Sequence, residues 1–362
     1  MAFVLIFAVL DVGAAQILKR TFSAWRFQER GVLERKYRIV SPIYHHDLAA
    51  STDARSMWGN IPYHTTTNSL GFRDDATREV PLRGPLPRLL LLGDSFTEGV
   101  GIAFDSTFAG IVATKWRDAG IEVLNGAVAG YSPAMYYRKT KYLLDELGLS
   151  IDGVLVFIDI SDISNEARQY VVDSADHVID LEAPPEPRFR SLKASLKDNS
   201  VLFHVGDAVK DVIGSRKRYA LREEIAAWTF DSAAFERYGR VGAQRAVENM
   251  DRLLALLRRQ EIALTVAIYP WPDQIAHRDT SGRQVRMWRQ WTSANGVGFL
   301  NFFPDFIDPA EDPRKTIGRY FIPYDYHWST EGHRHLAAAL LRTDVRRRVS
   351  RPVHGVASPQ VR

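Results

Sequence analysis

Five short apolar runs, each bounded by turn residues and separated by stretches of helical period, constrain this chain more than any other feature: "RLLLLG" (88–93), "IEVLN" (121–125), "GVLVFID" (153–159), "IALTVAIYP" (262–270) and "GFLNFF" (298–303). A strand with one wet face alternates apolar and polar residues. These runs are apolar nearly throughout, which is the pattern of strands covered on both faces. Strands covered twice and spaced by helices are joined by crossovers, so the chain is expected to build a five-stranded, mostly parallel sheet between helical layers, an α/β/α sandwich.

The 362 residues are enough for one large domain with additions, and 46% hydrophobic with 25% charged residues is the composition of a folded chain. The chain has no cysteine, which excludes thiol catalysis, thiolate zinc sites and disulfides together. The net charge of +4 is mild and the arginines are scattered except near the C-terminus, so nothing in the charge demands nucleic acid. No strand is followed by a phosphate loop, because "GDSFTEGVG" lacks the lysine of that motif.

Residues 1–20 begin with the apolar "MAFVLIFAVLDVGAAQIL" and read as a membrane anchor or signal segment, which predicts a membrane-anchored or exported protein of the periplasm or cell envelope. Lys19, Arg20, Arg26 and Arg30 follow that segment, and the positive-inside rule predicts the cytoplasmic alternative. Residues 21–87 read as a polar, aromatic, irregular extension ending in the Pro-rich linker "VPLRGPLPR". The main domain then spans 88–345. A long insertion at 164–243 is expected to form a lid or cap, and 346–362 form a basic polar tail.

The first apolar run leaves directly into "GDSFTEG". Ligands of an open parallel sheet bind at the carboxyl ends of its strands, and Ser95 stands at such an end, where a helix begins. The backbone N–H of a residue there points into the site, and the helix dipole favours an oxyanion, so Ser95 is placed as a nucleophile needs to be. A serine at a helix start is also a common N-cap, and nucleophilic use requires a base. "YDYHWSTEGH" offers one: His327 with Asp325 two residues before it, a carboxylate able to hold the imidazole in the tautomer that accepts the serine proton.

Taken together, "GDSFTEG" and "DYHWSTEGH" resemble the first and last blocks of the SGNH (GDSL-type) hydrolases, over about residues 88–345. The resemblance implies a flavodoxin-like fold and a Ser-His-Asp mechanism: Ser95 as nucleophile and first oxyanion donor, His327 as base, Asp325 as its orienting acid. "NGAVAGYS" matches the second block, with Gly130 as the glycine whose N–H donates to the oxyanion. "NSLGFRD" (68–74) resembles a lead-in found in membrane-linked members.

Two departures stand out. The third block, Gly-x-Asn-Asp in the family, is "FIDISDISNE" here, which puts Ser161 where the oxyanion asparagine belongs, with Asn165 as a substitute. The acid stands two residues before the histidine, where most members have three, a place held here by Tyr324. Asp-x-His-Trp instead resembles alginate O-acetyltransferase-like SGNH proteins.

The expected function is a serine-dependent hydrolase of O-acetyl or short acyl esters, without metal or cofactor. Alternatives are an O-acetyltransferase of cell-surface or exopolysaccharide glycan, and an inactive scaffold. The partner is an ester-bearing substrate, an acylated glycan among the options, with membrane association through the N-terminus. Asp159, Asp162, Trp271 and Trp328 are expected to line the substrate site. His333 and His335 read as surface or packing residues, "MWRQW" as core, and His45-His46 as a loop without the third ligand a metal needs.

Overall fold

The computed structural model describes residues 9–17, 33–34, 36–58, 61–182, 200–202, 223–323 and 325–349. Two antiparallel hairpins precede the main domain: β1 (Arg38–Ser41) with β2 (His45–Leu48), and β3 (Asp53–Trp58) with β4 (Ile61–Thr66). The central sheet contains β5 (Arg88–Leu92), β6 (Glu122–Asn125), β7 (Gly153–Ile158), β10 (Ala263–Ile268) and β11 (Gly298–Asn301), in the order β11-β10-β7-β5-β6 with every neighbouring pair parallel. Each of the five apolar runs is one of these strands. A third hairpin, β8 (Tyr170–Val172) with β9 (Val178–Asp180), stands outside the sheet.

The helices around the sheet include α1 (Ser95–Glu98), α2 (Phe108–Arg117), α3 (Pro133–Lys141), α4 (Asp162–Arg168), α5 (Arg240–Arg259), α6 (Pro272–Ala276), α7 (Arg283–Asn295), α8 (Pro313–Tyr320) and α9 (Thr330–Leu341). The chain runs outward from β5 to β6, then returns across β5 to β7 and continues to β10 and β11. With right-handed crossovers, this reversal puts α2 on one face of the sheet and α3, α5 and α7 on the other. The packing agrees: α2 lies against α9, and α5 lies against α3 and α4. Trp291 of α7 donates its Nε1–H to Asp251 of α5 at 2.8 Å. On α5, the buried residues Ala243, Ala246, Met250, Leu253, Leu254 and Leu257 recur three and four apart, so one stripe faces the sheet. The layers and strand order are those of the flavodoxin-like sandwich expected.

That reversal fixes the site. β5 and β7 are neighbours whose following segments diverge, so a crevice opens above their carboxyl ends, and Ser95 follows β5 as Asp159 follows β7.

The extension read as irregular carries four strands in its described part. Of the segment read as an anchor, residues 9–17 are helical with Val9, Leu10 and Ile17 exposed; the remainder of 1–20 lies outside the described residues. Among the described residues no helix is long and apolar enough to cross a membrane. Positions 183–199 and 203–222 of the insertion, and 350–362 of the tail, are likewise outside them.

Candidate active site

Asp94 caps α1 by accepting the Phe96 N–H at 3.0 Å, which leaves Ser95 at the first helical position. The motif "NSLGFRD" holds this turn from behind. Arg73, 1% exposed, donates from Nη1 to the carbonyls of Glu98 (2.9 Å) and Gly99 (3.0 Å), and from Nη2 to those of His64 (3.1 Å) and Ile102 (2.8 Å). A guanidinium on the last carbonyls of α1 satisfies groups that a four-residue helix leaves orphaned. Asn125, at the end of β6, adds a bond from Nδ2 to the Thr97 carbonyl at 2.8 Å.

The opposite wall is a tight turn. Asp325 N–H donates to the Ile322 carbonyl and Ile322 N–H to the His327 carbonyl, both at 2.9 Å, while Phe321 bridges Trp328. The turn aims His327 at Ser95: Nε2 lies 2.8 Å from Ser95 Oγ, and Nδ1 lies 2.6 Å from Asp325 Oδ1. A carboxylate only accepts, so the imidazole proton sits on Nδ1 and Nε2 presents its lone pair to the serine hydroxyl. Ser95 is 7% and His327 2% exposed, so the pair works in a largely dry environment.

One partner of this line carries no local signal. Trp58, at the end of β3, donates Nε1–H to Asp325 Oδ2 at 2.9 Å and sets its ring edge-on to His327 with centroids 4.8 Å apart. Gly101 makes room for it: its φ is +78°, and a Cβ there would lie 3.2 Å from Trp58 Cβ. Burial acts to raise the Asp325 pKa, but the His327 side chain and N–H, with the Trp58 N–H, outweigh it and hold this carboxyl well below its ordinary value.

Two N–H groups are available for an oxyanion. Neither the Ser95 nor the Gly130 N–H makes a hydrogen bond among the described residues. Gly130 has φ +87°, a conformation that glycine takes without strain, and its loop is held against the nucleophile turn by Val128 N–H on the Gly93 carbonyl at 3.3 Å.

The expected third donor is otherwise engaged. Ser161 donates its hydroxyl to Asp159 Oδ1 at 2.5 Å and its N–H to the same oxygen at 2.7 Å, so neither proton is offered to a ligand. Asn165, half-buried on α4, makes no side-chain hydrogen bond among the described residues. The substrate-lining expectation also needs correction. Asp159, Asp162 and Trp328 are 0% exposed and Trp271 1%, which leaves none of them an open face for a ligand. Trp328 packs among Phe96, Tyr269, Phe306 and His333. Trp271 donates Nε1–H to Asp159 Oδ2 at 2.7 Å, an oxygen that also accepts from Tyr269 at 2.9 Å.

Asp94, Asp159 and Asp162 thus form a buried group behind the nucleophile, with one carboxylate oxygen from each within 4.8 Å of the others. Burial first, and then their mutual repulsion, pushes Asp94 and Asp162 well above the ordinary carboxyl range. Burial raises Asp159 too, against the bonds from Ser161, Trp271 and Tyr269. The Ser95 hydroxyl has a second, longer contact to Asp94 Oδ2 at 3.3 Å, to a carboxyl whose charged form burial disfavours. The shorter contact of the Ser95 hydroxyl is the one to His327 Nε2, at 2.8 Å.

His333 is a packing residue with a defined task. It is 2% exposed, its Nδ1 accepts the Phe108 N–H at the start of α2 at 3.2 Å, and burial lowers its pKa to about 3, so it is neutral. His335 donates to the Asp305 carbonyl at 2.6 Å.

Solved structures similar to this chain include a protein of the G-D-S-L family described as lipolytic, from Desulfitobacterium hafniense (12% identity, TM-score 0.38, covering 69% of this chain and 98% of that one). A catalytic mutant of Axe2, an acetylxylan esterase from Geobacillus stearothermophilus, matches at 13% identity and TM-score 0.40 (75% and 98%). A lipase/acylhydrolase from Enterococcus faecalis matches at 12% and 0.39 (73% and 97%). No protein-family model and no curated protein matches the chain.

Proposed function

We propose that this protein is a serine-dependent ester hydrolase acting on an O-acetyl or other short acyl group. The observation that carries the reading is the unbroken line from Ser95 Oγ to His327 Nε2 at 2.8 Å and from His327 Nδ1 to Asp325 at 2.6 Å. As Ser95 Oγ bonds to the ester carbonyl carbon, its proton passes to His327 Nε2, and the ionised Asp325 stabilises the imidazolium. The N–H groups of Ser95 and Gly130 receive the oxyanion. His327 then returns the proton to the departing alkoxide, leaving an acyl-enzyme that water resolves by the same route. A serine only 7% exposed suits a small acyl group.

The test is hydrolysis of a chromogenic acetyl ester. The wild type should release product and Ser95→Ala should fall to background; equal rates would remove the assignment. A second reading shares every step as far as the acyl-enzyme and hands the acyl group to a glycan hydroxyl. It is favoured by the Asp325-x-His327-Trp328 spacing, and acetylated product formed only with a polysaccharide acceptor would select it.

A further inference from the structure

The histidine pair of the N-terminal extension, expected as a loop, opens strand β2, and its second member lies against the peptide that carries the Gly130 N–H. His46 Nε2 is 2.9 Å from the carbonyl oxygen of Ala129. That carbonyl and the Gly130 N–H are the two ends of one peptide group, and no peptide bond among the described residues is cis. In a trans peptide the C=O and N–H point in opposite directions. A group that fixes the carbonyl on one side therefore fixes the aim of the N–H on the other.

The same residue is gripped at its other end. Ala129 N–H donates to Glu98 Oε2 at 2.6 Å, and Glu98 is 0% exposed at the end of the nucleophile helix. Arg38 of β1 holds this carboxylate with two bonds, Nη1 to Oε2 at 3.1 Å and Nη2 to Oε1 at 2.9 Å. With both the N–H and the C=O of Ala129 tied, its two backbone dihedrals have little freedom, and the next peptide is set by them.

His46 is itself braced. A carbonyl oxygen only accepts, so His46 carries its proton on Nε2, and its Nδ1 then accepts from His45 Nδ1 at 2.7 Å. Tyr131 donates its hydroxyl to the His46 carbonyl at 2.7 Å, tying β2 to the start of α3. Burial lowers the His46 pKa to about 4, so the ring is neutral and the one-proton arrangement holds at neutral pH.

We infer that His46 is a positioning residue of the oxyanion site: through its bond to the Ala129 carbonyl, and together with the Arg38–Glu98 pair on the Ala129 N–H, it aims the Gly130 N–H at the developing oxyanion. The inference rests on the hydrolase reading above. It makes the N-terminal extension part of the reaction machinery, and it predicts an effect on the chemical step with little effect on binding, because a ground-state carbonyl asks less of that donor than an oxyanion does.

The experiment compares wild type, His46→Leu and His46→Gln by steady-state hydrolysis of a chromogenic acetyl ester and by the rate of Ser95 labelling with a fluorophosphonate, whose adduct uses the same N–H groups. His46→Leu removes the donor, and kcat and the labelling rate should each fall about 10- to 100-fold with KM nearly unchanged. Gln places an amide N–H at about the reach of Nε2, so His46→Gln should recover most of the loss, which a merely structural role does not predict. If the wild type hydrolyses the ester and is labelled while His46→Leu matches it, or loses only through KM, the positioning role is overturned and the hydrolase stands. If the wild type neither hydrolyses nor labels, the hydrolase reading fails and this inference fails with it.

Discussion

Glu166 lies on α4, 0% exposed, and reaches the start of α3, the helix that follows the Gly130 loop. It accepts from the Ser132 hydroxyl at 2.6 Å, the Ala134 N–H at 2.8 Å and Asn249 Nδ2 at 2.9 Å. Burial outweighs these bonds and raises its pKa from 4.5 to about 7. A carboxyl raised in the fold keeps its proton when the unfolded chain has lost it. Below about pH 4.5 both states are protonated and the group adds no pH dependence; from there to about 7 the unfolded state ionises first and stability falls; above 7 the loss levels off. At 1.36 kcal/mol per unit, the full loss is about 3 kcal/mol. Glu166→Gln cannot titrate and fits the same space. Other shifted groups, Asp94, Asp162 and Asp325 among them, titrate in both proteins and cancel in the difference. Urea unfolding of the two proteins at pH 4 and pH 8 should therefore show the variant gaining about 3 kcal/mol on the wild type between those values. A gap that stays constant within about 0.5 kcal/mol would refute a protonated Glu166.

Trp58→Phe keeps a ring beside His327 and removes the N–H on Asp325; a hydrogen bond to a charged group contributes about 1.5 kcal/mol or more, so kcat should fall about 10-fold at constant KM, and an unchanged kcat would make Trp58 a packing residue only. Ser161→Ala should leave kcat within about 3-fold of wild type, since its hydroxyl serves Asp159; a fall of about 100-fold or more would return it to the oxyanion site.

The five strands were legible because strands covered on both faces must be apolar at successive positions, and "GVLVFI" satisfies that without reference to anything distant. Ser95, Asp325 and His327 were legible because each motif is local: a strand-to-helix turn in one case, and in the other an acid and an imidazole two residues apart. The hairpins of the extension were not. In "DARSMW" the buried positions include Ala54 and Ser56, so alternation in burial leaves no alternation in hydropathy. Trp58 and Asp325 are 267 positions apart, and His46 and Ala129 83 apart, so no window of sequence contains either pair. Ser161 stands at the expected strand edge, but the carboxylate two residues before it takes its hydroxyl. Adjacency to His327 does not put Trp328 in the site: with His327 toward the serine, the indole packs inward against Phe96, Tyr269, Phe306 and His333.

Two aspartates beside one serine show how the same side chain is set to opposite states. Asp325 receives three N–H groups, from His327 N, His327 Nδ1 and Trp58 Nε1, and is ionised. Asp94 is fully buried, faces two further carboxyls, and is driven toward its neutral form. In the proposed hydrolase mechanism this difference favours proton transfer to His327 over Asp94. Were Asp94 ionised, it would compete with His327 for the hydroxyl proton and place a negative charge next to the developing oxyanion, which the Ser95 and Gly130 N–H groups would then have to overcome. In the proposed hydrolase mechanism, burial that disfavours the charged form of Asp94 weakens this competition, while its side chain still caps α1.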